Sequence, residues 1–167
     1  MKRISNKTCR LFSAACWLLL IAYTFYILYM TLLCRTPRTF YQYNYKLFWS
    51  YQYFFDKDHP QERQIILNIL FFIPFGFLLS AVLHICHLKS KKYVFIITVL
   101  AACLLSAGIE FLQLILKLGF SEFDDVIDNT AGAMIGAWLS LLLQRIINRK
   151  VYSQSEVSYA TASKEEM

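Results

Sequence analysis

Residues 94–116 read VFIITVLAACLLSAGIEFLQLIL, residues 117–125 read KLGFSEFDD, and residues 126–147 read VIDNTAGAMIGAWLSLLLQRII. Two apolar runs of about 22 residues thus flank a nine-residue acidic link. As a helix, each run is roughly 33 Å long, enough for a hydrocarbon core of about 30 Å. Only a helix satisfies its own backbone groups within one segment in lipid. Working outward, residues 65–86 and 11–33 form two further runs of the same length and character. The expectation is an all-α polytopic membrane protein, a bundle of four transmembrane helices at about 11–33, 65–86, 94–116 and 126–147. A short N-terminus (1–10), an aromatic connection (34–64) and a polar tail (148–167) complete the 11–147 transmembrane domain.

Composition agrees. Of 167 residues, 57% are hydrophobic and only 17% charged, and the mean hydropathy is +0.44. A soluble domain carries about 25% charged residues. This excludes a disordered chain and argues against a soluble enzyme. The net charge of +6 does not indicate nucleic acid, because the bases fall in short blocks beside apolar runs. Lys2, Arg3, Lys7 and Arg10 precede the first run. Lys89, Lys91 and Lys92 fill the turn between the second and third, and Arg145, Arg149 and Lys150 close the fourth. Bases gather on the cytoplasmic side of membrane proteins, so both termini are expected to be cytoplasmic. The first run is too long for a cleavable signal core. Cys9, Cys16, Cys34, Cys86 and Cys103 are scattered without a CxxC, which fits neither a disulfide framework nor a zinc site.

The connection 34–64 is about one third aromatic, through Tyr41, Tyr43, Tyr45, Phe48, Trp49, Tyr51, Tyr53, Phe54 and Phe55. Such residues suit the membrane interface, where an apolar body and a polar tip are both accommodated. They equally suit a binding face for a lipid-linked or glycopeptide ligand. Neither strand nor helix is assigned there.

Ionisable residues at membrane depth are functional candidates by default. Glu110 and Gln113, three apart, share one helix face, and Glu110 lies about 9 Å below the outer end. Ser121, Glu122, Asp124 and Asp125 follow, then Asp128 and Asn129. Asp125 pairs with Asn129 on one face and Asp124 with Asp128 on another. Ser121 and Asp124 also resemble a capping box, which accounts for one or two acids at a helix N-terminus. Asn68 opens the second run. The expected site is therefore an outer-leaflet polar pocket of Asn68, Glu110, Gln113, Glu122, Asp124, Asp125, Asp128 and Asn129. Arg63, Lys117 or a divalent cation would neutralise it, with His59 the one histidine in reach; Mg²⁺ or Ca²⁺ takes oxygen ligands of this kind. Glu110 and Asp125 are the candidate acid and base, and Ser106 lacks a nearby histidine to make it a nucleophile. Pro74 is expected to kink or unwind its helix. Gly76 follows it, and Gly132 and Gly136 suit close helix packing.

The string Asn68-Ile69-Leu70-Phe71-Phe72-Ile73-Pro74-Phe75-Gly76 resembles the opening motif of VanZ-like membrane proteins. Glu110 with Gln113 resembles their E-x-x-Q pair. Glu122-Phe123-Asp124-Asp125-Val126, then Asn129-Thr130 and Gly132, is similar to their acidic loop and N-T-x-G. The resemblance covers about residues 65–137. Two positions depart from it: Gly119 stands where many members have arginine, for which Lys117 is the candidate substitute, and Glu122 replaces the usual aspartate. The resemblance implies a multi-pass protein of the bacterial plasma membrane. It also implies low-level resistance to teicoplanin, a lipoglycopeptide; an outer-leaflet pocket beside an aromatic connection is placed to act on the drug or a lipid-linked cell-wall precursor at the outer face. The alternative is a membrane-embedded enzyme acting on an envelope substrate through its carboxylates.

Overall fold

The computed structural model describes residues 6–53, 60–85 and 90–165. Lys2, Arg3, Phe54, Phe55, His59, Cys86 and Lys89, considered above, lie outside the described residues. Four long helices dominate: α1 (Asn6–Leu28), α2 (Pro60–Ile85), α3 (Lys91–Ile115) and α4 (Phe123–Glu165). A π-helical turn, Tyr29–Leu33, extends α1. Within them, Ser13–Leu33, Arg63–Ile85, Lys91–Ile115 and Phe123–Arg149 are long and apolar enough to cross a bilayer. Most of each span faces outward, as Leu18 and Phe25, each 68% exposed, and Leu104, 74% exposed, illustrate. Apolar surface on that scale needs lipid around it.

The helix limits follow from local chemistry. Pro60 opens α2 because the first turn has no use for its missing N–H. Helix α3 ends in a Schellman arrangement. The Leu118 N–H donates to the Gln113 carbonyl (2.8 Å) and the Lys117 N–H to that of Leu114 (3.2 Å). Lys117 takes the left-handed conformation (φ 57°) usual at that position. Beyond the fourth span, α4 continues to Glu165, where a solvated tail was expected. Residues 148–165 contain neither proline nor glycine to stop it. Nor does α2 unwind at Pro74; the helix runs through it.

Helices α2 and α4 meet backbone to backbone. A side chain at Gly132 would fall on the Ile69 carbonyl, at Gly136 on that of Ile73, and at Gly76 on that of Ala133. The small residues thus serve close approach, as their spacing suggested. Around this seam pack Ile27 of α1, Phe72 and Phe75 of α2, Ile109 of α3 and Ala133 of α4.

The connection between α1 and α2 holds two short elements that the sequence did not disclose. Strand β1 (Gln42–Asn44) pairs in parallel with β2 (Phe120–Glu122), Tyr43 opposite Ser121, and Ser50–Tyr53 form a 3₁₀ turn. The aromatic connection is thereby folded against the α3–α4 link at one end of the bundle.

Candidate functional site

The acidic residues divide into two groups, because consecutive positions on a helix point in different directions. Asp124 and Asp128 face the aromatic connection. Asp124 is fully buried and accepts three bonds: Phe48 N–H to Oδ1 (2.7 Å), and Ser50 N–H (3.0 Å) and Ser50 Oγ–H (2.6 Å) to Oδ2. One turn on, the Tyr51 hydroxyl donates to Asp128 Oδ1, while Oδ2 has no hydrogen-bond partner. Burial, then the bond to Asp128, push the Tyr51 hydroxyl well above its ordinary value. The expected capping box is absent. Asp124 reaches across to residues 48 and 50 instead, and the Ser121 hydroxyl donates to the Glu110 carbonyl (3.2 Å).

The second group faces the helices. Asp125 and Asn129 share a face as their spacing required. Both Asp125 oxygens lie 3.2 Å from Gln64 Nε2 of α2. Asn129 Nδ2 donates to Ser106 Oγ of α3 at 2.8 Å. Glu110 accepts the Glu122 backbone N–H at 3.0 Å, which ties α3 to β2. Gln113 is buried; its Nε2 donates to the Thr31 carbonyl (3.0 Å) inside the π-helical turn, and its Oε1 has no partner. Asn68 stands one turn from Gln64, with its Nδ2 buried and unpartnered. All eight expected pocket residues therefore gather at one end of the bundle, six of them on this inner side.

The cation of the cluster is neither Arg63 nor Lys117. Arg63 is exposed, and Lys117 Nζ sits 4.6 Å above the ring of Tyr41. Among the described residues, Arg35 supplies the positive charge acting on Glu110, Glu122 and Asp125. Its Nη1 lies 2.5 Å from where a Cβ of residue 119 would be, so Gly119, at φ 151°, leaves the space that the guanidinium fills. The guanidinium beside Gly119 thus comes from the α1–α2 connection. Glu122, outside the spans and only 2% exposed, is pushed up to about 8, first by burial and then by Asp125, Asp124 and Asp128, with Arg35 opposing.

Among the described residues, no three acidic, histidine or cysteine side chains converge as a metal site would require. Glu110 Oε2 and both carboxylate oxygens of Asp124 and Asp125 are engaged by protein N–H and O–H donors. A cavity of about 220 Å³ between α3 and the start of α4 reaches Glu110 and Glu122 past Tyr45, Phe111 and Leu114. The carboxyl groups are therefore approachable from the side of the bundle. Gln64 was discoverable in the sequence, since it precedes Asn68 by one turn; Arg35, Ser50 and Tyr51 carried no such signal.

Protein VanZ of Enterococcus faecium is 33% identical over 88 residues, which is 53% of this chain and 50% of that protein. The chain thus matches about half the length of that relative. No solved structure matches. A model of the VanZ/LLP1 family matches residues 11–144, which include the first three spans, most of the fourth and every residue of the cluster. The protein is a multi-pass protein of the bacterial plasma membrane, and the chain belongs to the VanZ/LLP1 family.

Proposed function

We propose that this protein confers low-level teicoplanin resistance by acting at the outer face of the plasma membrane. The observation that carries the reading is the docking of an aromatic connection onto buried carboxylates, through Phe48, Ser50 and Tyr51 on Asp124 and Asp128. It places a tyrosine-rich surface and an acidic cluster with one arginine at the same end of the bundle. The distribution of Lys and Arg supports an outward orientation of that end. Teicoplanin carries a lipid tail and works at the membrane surface, where such a face can exclude the drug or shield a lipid-linked precursor. The site acts by binding and exclusion.

The test compares teicoplanin and vancomycin inhibitory concentrations in a susceptible Gram-positive host. Empty vector, wild type and Glu110→Gln are compared at matched membrane levels. A rise for teicoplanin alone, lost in the variant, is expected. Equal protection against both drugs, or none from a well-expressed wild type, refutes the reading.

A second reading, an enzyme acting on an envelope substrate, draws on the lateral cavity that leads to Glu110 and Glu122. Carboxyl groups in unlike environments can divide acid and base roles. It requires loss of function in Asp125→Asn at equal expression, and retained function counts against it.

A further inference from the structure

A second and larger cavity, about 490 Å³, lies beside the acidic cluster rather than within it. Tyr41, Tyr43 and Tyr45 form one wall, and Leu114 and Ile115, at the end of the third span, form the other. It adjoins the 220 Å³ cavity, with which it shares Tyr45 and Leu114. The tyrosine wall is ordered: the rings of Tyr43 and Tyr45 stack with centroids 5.2 Å apart. The other wall belongs to the bilayer, since Ile115 is half exposed on a membrane-spanning helix.

Charge distinguishes this groove from the carboxylates behind it. Lys117 Nζ caps the ring of Tyr41 at 4.6 Å. The Arg38 backbone N–H donates to the Lys117 carbonyl at 2.8 Å, which ties the start of the tyrosine segment to the end of α3. An apolar wall continuous with lipid, a row of phenol rings at the interface and one base at the rim match an anionic phospholipid part by part. An acyl chain of such a lipid would run against Leu114 and Ile115, its headgroup hydroxyls would meet the tyrosines, and its phosphate would meet Lys117.

We infer that the groove between Tyr41, Tyr43 and Tyr45 and the end of α3 is a specific seat for an anionic membrane phospholipid with a hydroxyl-bearing head. This seat does not depend on the resistance reading and lies outside the hydrogen-bonded acidic cluster. It places a bound lipid next to the lateral entrance to Glu110 and Glu122.

Native mass spectrometry of the full chain in detergent, titrated separately with dioleoyl phosphatidylglycerol and dioleoyl phosphatidylcholine, tests it. One base near a phosphate corresponds to about a fivefold preference for the anionic lipid. That preference is expected in the wild type. It should fall to near unity in Lys117→Gln and return in Lys117→Arg. Ile115→Trp, which fills the groove from an exposed position, should weaken phosphatidylglycerol binding while leaving the melting temperature in place. Equal binding of the two lipids by the wild type overturns the inference. So does a preference that survives both Lys117→Gln and Ile115→Trp, because the anionic lipid would then sit elsewhere, as at the basic turn between α2 and α3.

Discussion

Asparagine in place of Asp124 should release the aromatic connection from the bundle without unfolding the helices. Asp124 accepts from Phe48 N–H, Ser50 N–H and Ser50 Oγ–H, at 2.7, 3.0 and 2.6 Å. An asparagine of the same shape keeps one oxygen and turns an NH₂ toward donors. At least one buried N–H then loses its acceptor, at about 1–3 kcal/mol, and the bonds that remain lose the assistance of the charge. Phe48 sits at φ 60°, a left-handed conformation that a bulky residue holds only under constraint. Releasing it recovers part of the strain and favours the open connection further. Together these give about 3 kcal/mol against the docked state, or roughly a hundredfold in its local opening equilibrium. Hydrogen–deuterium exchange of the protein in nanodiscs reads this directly. Amides of residues 48–53 should exchange roughly a hundredfold faster in Asp124→Asn, while those in the middle of α2 and α4 keep their protection. Unchanged exchange in residues 48–53 refutes the anchoring role. Loss of protection across all four helices refutes the claim that the anchor is local.

Other expectations concern the seam, the guanidinium and pH. Alanine at Gly132 or Gly136 would place a Cβ on the Ile69 or Ile73 carbonyl, so each should cost about 1–3 kcal/mol, read as a lower melting temperature in detergent; unchanged melting would deny the close α2–α4 contact. Gly119→Ala meets both a strained φ and the Arg35 guanidinium. It should destabilise more in wild type than in an Arg35→Ala background, and strict additivity in a double-mutant cycle would remove the proposed contact. Glu122 has a folded-state value raised to about 8 from an ordinary 4.5. Its protonated form is therefore favoured by folding, and its stabilising contribution, complete below pH about 4.5, is lost as pH rises through about 8. Glu122→Gln should flatten the fall in melting temperature over that window, whereas Arg35→Gln removes a cation that opposes protonation, raises the folded value of Glu122 further and should extend the fall to higher pH. A wild-type melting temperature that rises across the window contradicts this sign.

Four spans, their approximate limits and the gathering of polar groups at one end were legible in the sequence. Hydropathy is local and additive, so a run of about 22 apolar residues declares a span without knowledge of its neighbours. Helical period is equally local. It separated Asp124 and Asp128 from Asp125 and Asn129, and placed Gly132 and Gly136 on one stripe. What those faces meet is not local. Asp124 reaches Phe48 across 76 positions and Asp128 reaches Tyr51 across 77. No spacing rule connects such pairs, and each acid read alone looked like a helix-end charge or part of a pocket. A three-residue strand such as β1 has no pattern long enough to recognise; it exists because β2 lies alongside it. The cluster's cation escaped for the same reason. Arg35 follows an unremarkable helix end, and only the folded chain brings it over the empty side of Gly119. The sequence by itself determined which residues are immersed in lipid and which helix faces carry charge, because both depend on neighbours within one or two turns. Tertiary structure alone decided which carboxylates fasten the aromatic connection and which face Arg35, because those roles are set by contacts between segments that the chain keeps far apart.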